Sequence, residues 1–189
     1  MAVKGHHLKI QSTQGDECGF KIDTTAQLDF NLNDTAKFNI WTRIKYEVLC
    51  TGGVLSGISV YDSLNVAATT SNYTITSKSG ENLVLKLLTP GNKVSQLSLN
   101  GSMNVFANLQ PKKGTATSGT YNFTFTSLVI DPAKNGDIIS GSATFATKGS
   151  SAEGVWDYKG TILFLPNHQA KITINGTAFT YDLQTGLAV

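Results

Sequence analysis

The sequence predicts an all-β protein, an antiparallel β-sandwich or closed β-barrel of about ten or more short strands, and three observations carry that prediction. Apolar and polar residues alternate with period two along almost the whole chain. Turn-forming dipeptides punctuate the alternation at short intervals. Charged residues make up only 15% of the 189 positions, against abundant Thr, Ser, Asn and Gly, so little of the chain has the composition of amphipathic helix. The length suits a single domain over residues 1–189, with 1–17 as an extended N-terminal arm.

The elements follow in order. Leu28, Phe30 and Leu32 alternate with polar residues, and the clearest strand comes next, over 38–48. There Phe38, Ile40, Thr42, Ile44, Tyr46 and Val48 share one face, while Asn39, Trp41, Arg43, Lys45 and Glu47 share the other. After Gly52-Gly53, the residues Val54, Ser56, Ile58 and Val60 continue the pattern. Further strands are expected through Tyr73 and Ile75, Leu83 to Leu87, Leu97 and Leu99, Met103 and Val105, and Tyr121 to Phe125. The last group comprises Ile139 to Phe145, Trp156 to Phe164, Ala170 to Ile174 and Phe179 to Leu183. Ser79-Gly80, Thr89-Pro90-Gly91-Asn92, Asn100-Gly101, Asn135-Gly136 and Asn175-Gly176 read as the turns between them.

Two turns can be tested against the face pattern. A two-residue type I′ turn at Asn175-Gly176 pairs Ile174 with Thr177, Ile172 with Phe179 and Ala170 with Tyr181, which puts the apolar sides together. Continued outward, that register sets His168 opposite Leu183. The same turn at Asn100-Gly101 would leave Met103 and Val105 on the wrong face, so a three-residue loop or no direct hairpin is expected there.

Charge and motifs exclude more than they assign. A net charge of +2, with Lys112-Lys113 the one adjacent basic pair, is too small a footprint for nucleic acid. No apolar run reaches the roughly 20 residues of a membrane span, and the first ten residues hold no secretory apolar core. Cys18 and Cys50 read as two ordinary buried thiols ahead of a loop-closing disulfide, which would be worth about 3–4 kcal/mol by chain entropy. His6-His7 would point to opposite faces of a strand, and His168 reads as structural, so no zinc set forms. The segment from Asp131 to Asp137 would open a calcium loop with Ala133 in place of the second oxygen ligand and Ser142, further on, in place of the bidentate Glu, and is expected to be a turn. Gly53 to Gly57 lacks the spacing of a nucleophile elbow. Five Asn-x-Ser/Thr sequons, at Asn33, Asn72, Asn100, Asn122 and Asn175, barely exceed the roughly three that this composition yields by chance.

Two aromatic groups remain as candidate contact residues. Trp156 and Tyr158 fall on the face of Ile162 and Phe164, which favours packing for Trp156 over a ligand platform. Trp41 falls on the polar face beside Arg43 and Lys45, where it is either covered or offered to a partner.

The last third, from Gly141-Ser-Ala-Thr-Phe145 through Trp156-Asp-Tyr158-Lys-Gly160 to Ile174-Asn-Gly-Thr-Ala-Phe179, resembles the C-terminal strands of small β-rich surface lipoproteins of Gram-negative bacteria. The match lies on strand and turn positions and departs by lacking a lipobox cysteine and a signal. The opening Met-Ala-Val-Lys-Gly and the composition resemble phage tail-tube and related virion proteins, which implies cytoplasmic synthesis and polymerisation.

The expectation is a non-enzymatic structural subunit of a virion-like, tail-like or filamentous assembly, acting by interface burial through Trp41, Arg43 and Lys45, with Trp156 and Tyr158 as further contacts. Its partners would be copies of itself or other subunits, with no cofactor, metal, nucleic acid or membrane span. It would be made in the cytoplasm and then assembled. One alternative is a secreted or surface-anchored module binding carbohydrate or a small apolar ligand, and a second is a hydrolase with dispersed carboxylates.

Overall fold

The computed structural model describes residues 7–11, 18–32, 35–92 and 94–189. His6, the sequon asparagine Asn33 and the rest of the expected arm (1–6 and 12–17) lie outside the described residues. Eleven strands follow one another as an antiparallel meander in a single sheet whose spatial order is the chain order. They are β1 (His7–Gln11), β2 (Lys21–Leu32), β3 (Ala36–Thr51), β4 (Val54–Thr70), β5 (Tyr73–Leu87), β6 (Leu97–Pro111), β7 (Thr117–Asp131), β8 (Asp137–Ser151), β9 (Gly154–Leu165), β10 (Gln169–Ile174) and β11 (Thr177–Asp182). The all-β, antiparallel expectation holds. The sheet does not close into a barrel, because its end strands β1 and β11 do not pair.

The strands are longer than expected: β3 to β8 hold 15 to 17 residues each. Two pairs read as turns lie inside strands, Ser79-Gly80 within β5 and Asn100-Gly101 within β6. The reason is phase. Ile75, Ser77, Ser79, Glu81, Leu83 and Leu85 keep one alternation through Ser79-Gly80, and Leu97, Leu99, Met103 and Val105 keep one through Gly101, so neither strand needs to reverse. At Asn100 the β6–β7 register slips by a β-bulge, and the Asn100 side chain accepts the Ser127 N–H. A second bulge, at Leu49/Cys50, puts Leu55 rather than Val54 on the face of Ile58 and Val60.

The hairpin at Asn175-Gly176 has the expected register, Ile174 to Thr177, Ile172 to Phe179 and Ala170 to Tyr181. Both turn residues have positive φ, 50° and 82°, as a type I′ turn requires. The Leu183 N–H donates to the His168 carbonyl, completing the register outward. Asp131 to Asp137 is a turn around a 3-10 segment, Pro132–Lys134, closed by left-handed Asn135.

The two faces differ in chemistry. Two apolar rows cross the sheet on one face. Val48, Ile58, Leu85, Leu99 and Leu128 are successive cross-strand partners from β3 to β7, and Phe30, Phe38, Ala68, Ile75 and Leu109 are so from β2 to β6. Side chains on this face cover one another only sideways, so full burial is confined to a few, among them Val48, Ala68, Leu128, Ala143 and Ala170. Leu128, at 2% exposure, is the one large side chain so enclosed among the described residues.

Candidate interaction surfaces

The polar face collects the charges. On β2 and β3, Arg43 donates two hydrogen bonds to Asp23, from Nε at 3.0 Å and from Nη2 at 2.9 Å. The hydrogen bond from Arg43 holds the Asp23 carboxyl below its ordinary range, and the same bond raises the Arg43 guanidinium. Lys45 lies 3.7 Å from Asp23 and 5.9 Å from the centre of the Tyr61 ring, while Lys21 meets Glu47 at 2.8 Å. Trp41 is half-buried between its cross-strand partners Gln27 and Asn65. Of the expected contact residues on this face, Arg43 and Lys45 therefore already have partners within the chain.

A groove of about 450 Å³ opens on the polar face of β6 to β9. Phe106, Ser118, Thr120, Lys148, Ser150 and Asp157 line it, and glycines 119 and 149 lower its floor.

Trp156 and Tyr158 lie on the other, apolar face, so the five expected contact residues fall into two groups with the sheet between them. The Trp156 indole N–H donates to Thr147 Oγ1 at 3.1 Å, and the ring lies over Gly119 and Gly149, on the two strands beyond its own. Phe145 covers Gly160 in the same way and meets Phe123 at 6.4 Å. In each case an aromatic ring supplies the apolar cover that a glycine lacks. Tyr158 stays exposed.

One cluster escaped the sequence reading. Asp131 and Asp137 are cross-strand partners and both are buried. Asp131 accepts from Gln96 Nε2 and from the Ala133 N–H, and Asp137 pairs with His168 Nδ1 at 2.9 Å. His168 comes from the β9–β10 turn, too far along the chain for any local motif to link it to Asp137. Nearby, the N–H groups of Thr185 and Gln184 and the Thr185 hydroxyl donate to Asp182, and these bonds, led by the Thr185 N–H, hold its carboxyl below the ordinary range. Both buried aspartates are thus occupied in joining turns.

Cys18 and Cys50 form a disulfide rather than the two buried thiols expected first. Among the described residues no group of three or more His, Cys, Asp or Glu side chains is placed to hold a metal ion, and no helix is long and apolar enough to cross a membrane. No protein-family model, curated protein or solved structure matches the chain.

Proposed function

We propose that this chain is a non-enzymatic structural subunit of a larger protein assembly, virion-like, tail-like or filamentous, that works by burying sheet surface against other subunits. The observation that carries this reading is area. The folded chain exposes 12,135 Å², whereas a compact monomer of 20.2 kDa is expected to expose about 8,800 Å². The difference, roughly 3,300 Å² with the undescribed residues included, exceeds the ~800 Å² per partner of a standard interface. A sheet of this kind gains its missing layer by association. Sedimentation velocity on the full-length chain at rising concentration tests the reading: a mass above that of one protomer is expected, and a strict monomer throughout would overturn it.

A second reading, a binding module for carbohydrate, is favoured by the groove on β6 to β9, where an aromatic ring, hydroxyls, a lysine and a carboxylate converge. Glycan-array binding that Phe106→Ala abolishes with the fold intact would support it, and a blank array would remove it. For either reading, the Cys18–Cys50 disulfide supports an oxidising destination such as a particle exterior or cell surface.

A further inference from the structure

We infer that the apolar face of the sheet is the self-association surface, and that a second copy of the chain stacks on it to make a two-layered β-sandwich. This rests on the assembly reading above and names its surface and its partner.

The distribution of charge singles out the face. Across β2 to β11, only Asp62 and Glu81 among the described charged strand residues point to the apolar side, whereas Lys21, Arg43, Lys78, Lys148, Lys159 and Lys171 all point to the other. Asp62 and Glu81 are cross-strand partners of each other, between the two apolar rows. Several large side chains of this face stand unusually open for apolar groups, Ile44 at 44%, Leu64 at 40% and Leu109 at 42% exposure.

Size then selects the occupant. The six central strands of 15 to 17 residues reach ~50 Å and the outer ones are shorter, which at ~3.3 Å per residue and ~4.8 Å between strands gives a face of roughly 2,100 Å². Overlap of half of it would bury about 1,050 Å² on each copy, or about 2,100 Å² together, at the lower end of the class of permanent homodimers. A second copy supplies a face of the same dimensions, the same apolar rows and the ~10 Å stacking distance of paired sheets. Lipid fits less well, since Asp62 and Glu81 would enter hydrocarbon with no cation among the described strand residues on their face. Between two protein layers, those carboxylates can keep bridging water, and the hydroxyl residues Ser79 on β5 and Thr42 on β3 lie one pleat away on the same face.

The test compares Leu64→Lys and Leu109→Lys, on the apolar face, with Asn104→Lys and Thr124→Lys, on the polar face, by sedimentation equilibrium, with far-UV circular dichroism reporting the fold. The first pair is expected to raise the dimer dissociation constant by about 100-fold or more, and the second to leave it within about threefold. A measurement without charge insertion accompanies it. In Trp41→Phe, Trp156 is the remaining tryptophan and lies on the apolar face, so its acrylamide quenching should fall as concentration rises through the dimerisation range. Unchanged dimerisation in the apolar-face variants, with quenching independent of concentration, overturns this interface and leaves the assembly reading standing. A monomeric parent chain overturns both. A monomer that floats with phosphatidylcholine–phosphatidylglycerol vesicles, and loses flotation in Leu109→Lys, replaces the second copy with lipid and also overturns the proposal.

Discussion

Opening the Cys18–Cys50 disulfide should destabilise one end of the sheet more than the other. The bridge spans 32 positions and encloses all of β2 and nearly all of β3. Releasing a loop of that length returns about 12–13 cal/mol/K to the unfolded chain, a loss of ~3.7 kcal/mol at 25 °C. Spread over a cooperative unit of 189 residues, at ~2.1 cal/mol/K per residue, it would lower Tm by about 9 °C. The meander adds a direction to this effect. Among the described residues, extensive contacts between elements join only sequential neighbours, so β3 and β9 communicate through five intervening strands. Trp41 in β3 and Trp156 in β9 report the two ends separately. Urea unfolding of Trp156→Phe and Trp41→Phe, each with and without the Cys18→Ser/Cys50→Ser replacement, should show the Trp41 transition moving to lower urea by most of that free energy and the Trp156 transition moving less. An unmoved Trp41 transition would refute the loop-entropy argument, and equal shifts at both tryptophans would refute the directional one.

Three other outcomes follow from the local geometry. Asp23 and Asp182 both have folded-state carboxyls held below their ordinary value of 3.8, so the stability they contribute is present above that value and is lost as pH falls through the lowered one. Tm measured from about pH 5 down to pH 2 should therefore fall less steeply in Asp23→Asn and in Asp182→Asn than in the parent chain, and parallel curves would contradict the assignment. Asp137→Asn, which removes the charge beside His168 at a side chain only 5% exposed, should cost about 1–3 kcal/mol in urea unfolding, and His168→Ala should cost less once Asp137 is already replaced, a coupling that a double-mutant cycle reads. Gly160→Ala, whose added methyl would meet both the Phe145 ring and the Thr173 carbonyl, should cost about 1–3 kcal/mol, while Gly136→Asn, at an open left-handed turn position, should cost under about 1 kcal/mol. Equal losses at the two glycines would show that backbone entropy, not the ring above Gly160, sets the cost.

Much of the architecture could be read from residue order. The sides of β3, the Asn175-Gly176 register and the shared face of Trp156, Tyr158, Ile162 and Phe164 all follow from period two, because the pleat sends successive side chains to opposite faces whatever surrounds the strand. The same rule, applied without interruption through Gly80 and Gly101, also anticipates the long β5 and β6. Turn propensity pointed the other way there because it is local, while the phase that overrides it extends over a dozen residues. What the pattern leaves open is what lies on each face, since alternation suits a sandwich, a barrel or an open sheet alike. Only the tertiary structure showed that β1 and β11 stay apart, that Arg43 and Lys45 already share Asp23, and that Trp156 lies over Gly119 and Gly149. Only it brought His168 to Asp137 and Cys18 to Cys50. Such pairings depend on strand order and on the reach of side chains across neighbouring strands, and those are properties of the folded sheet rather than of any one stretch of chain.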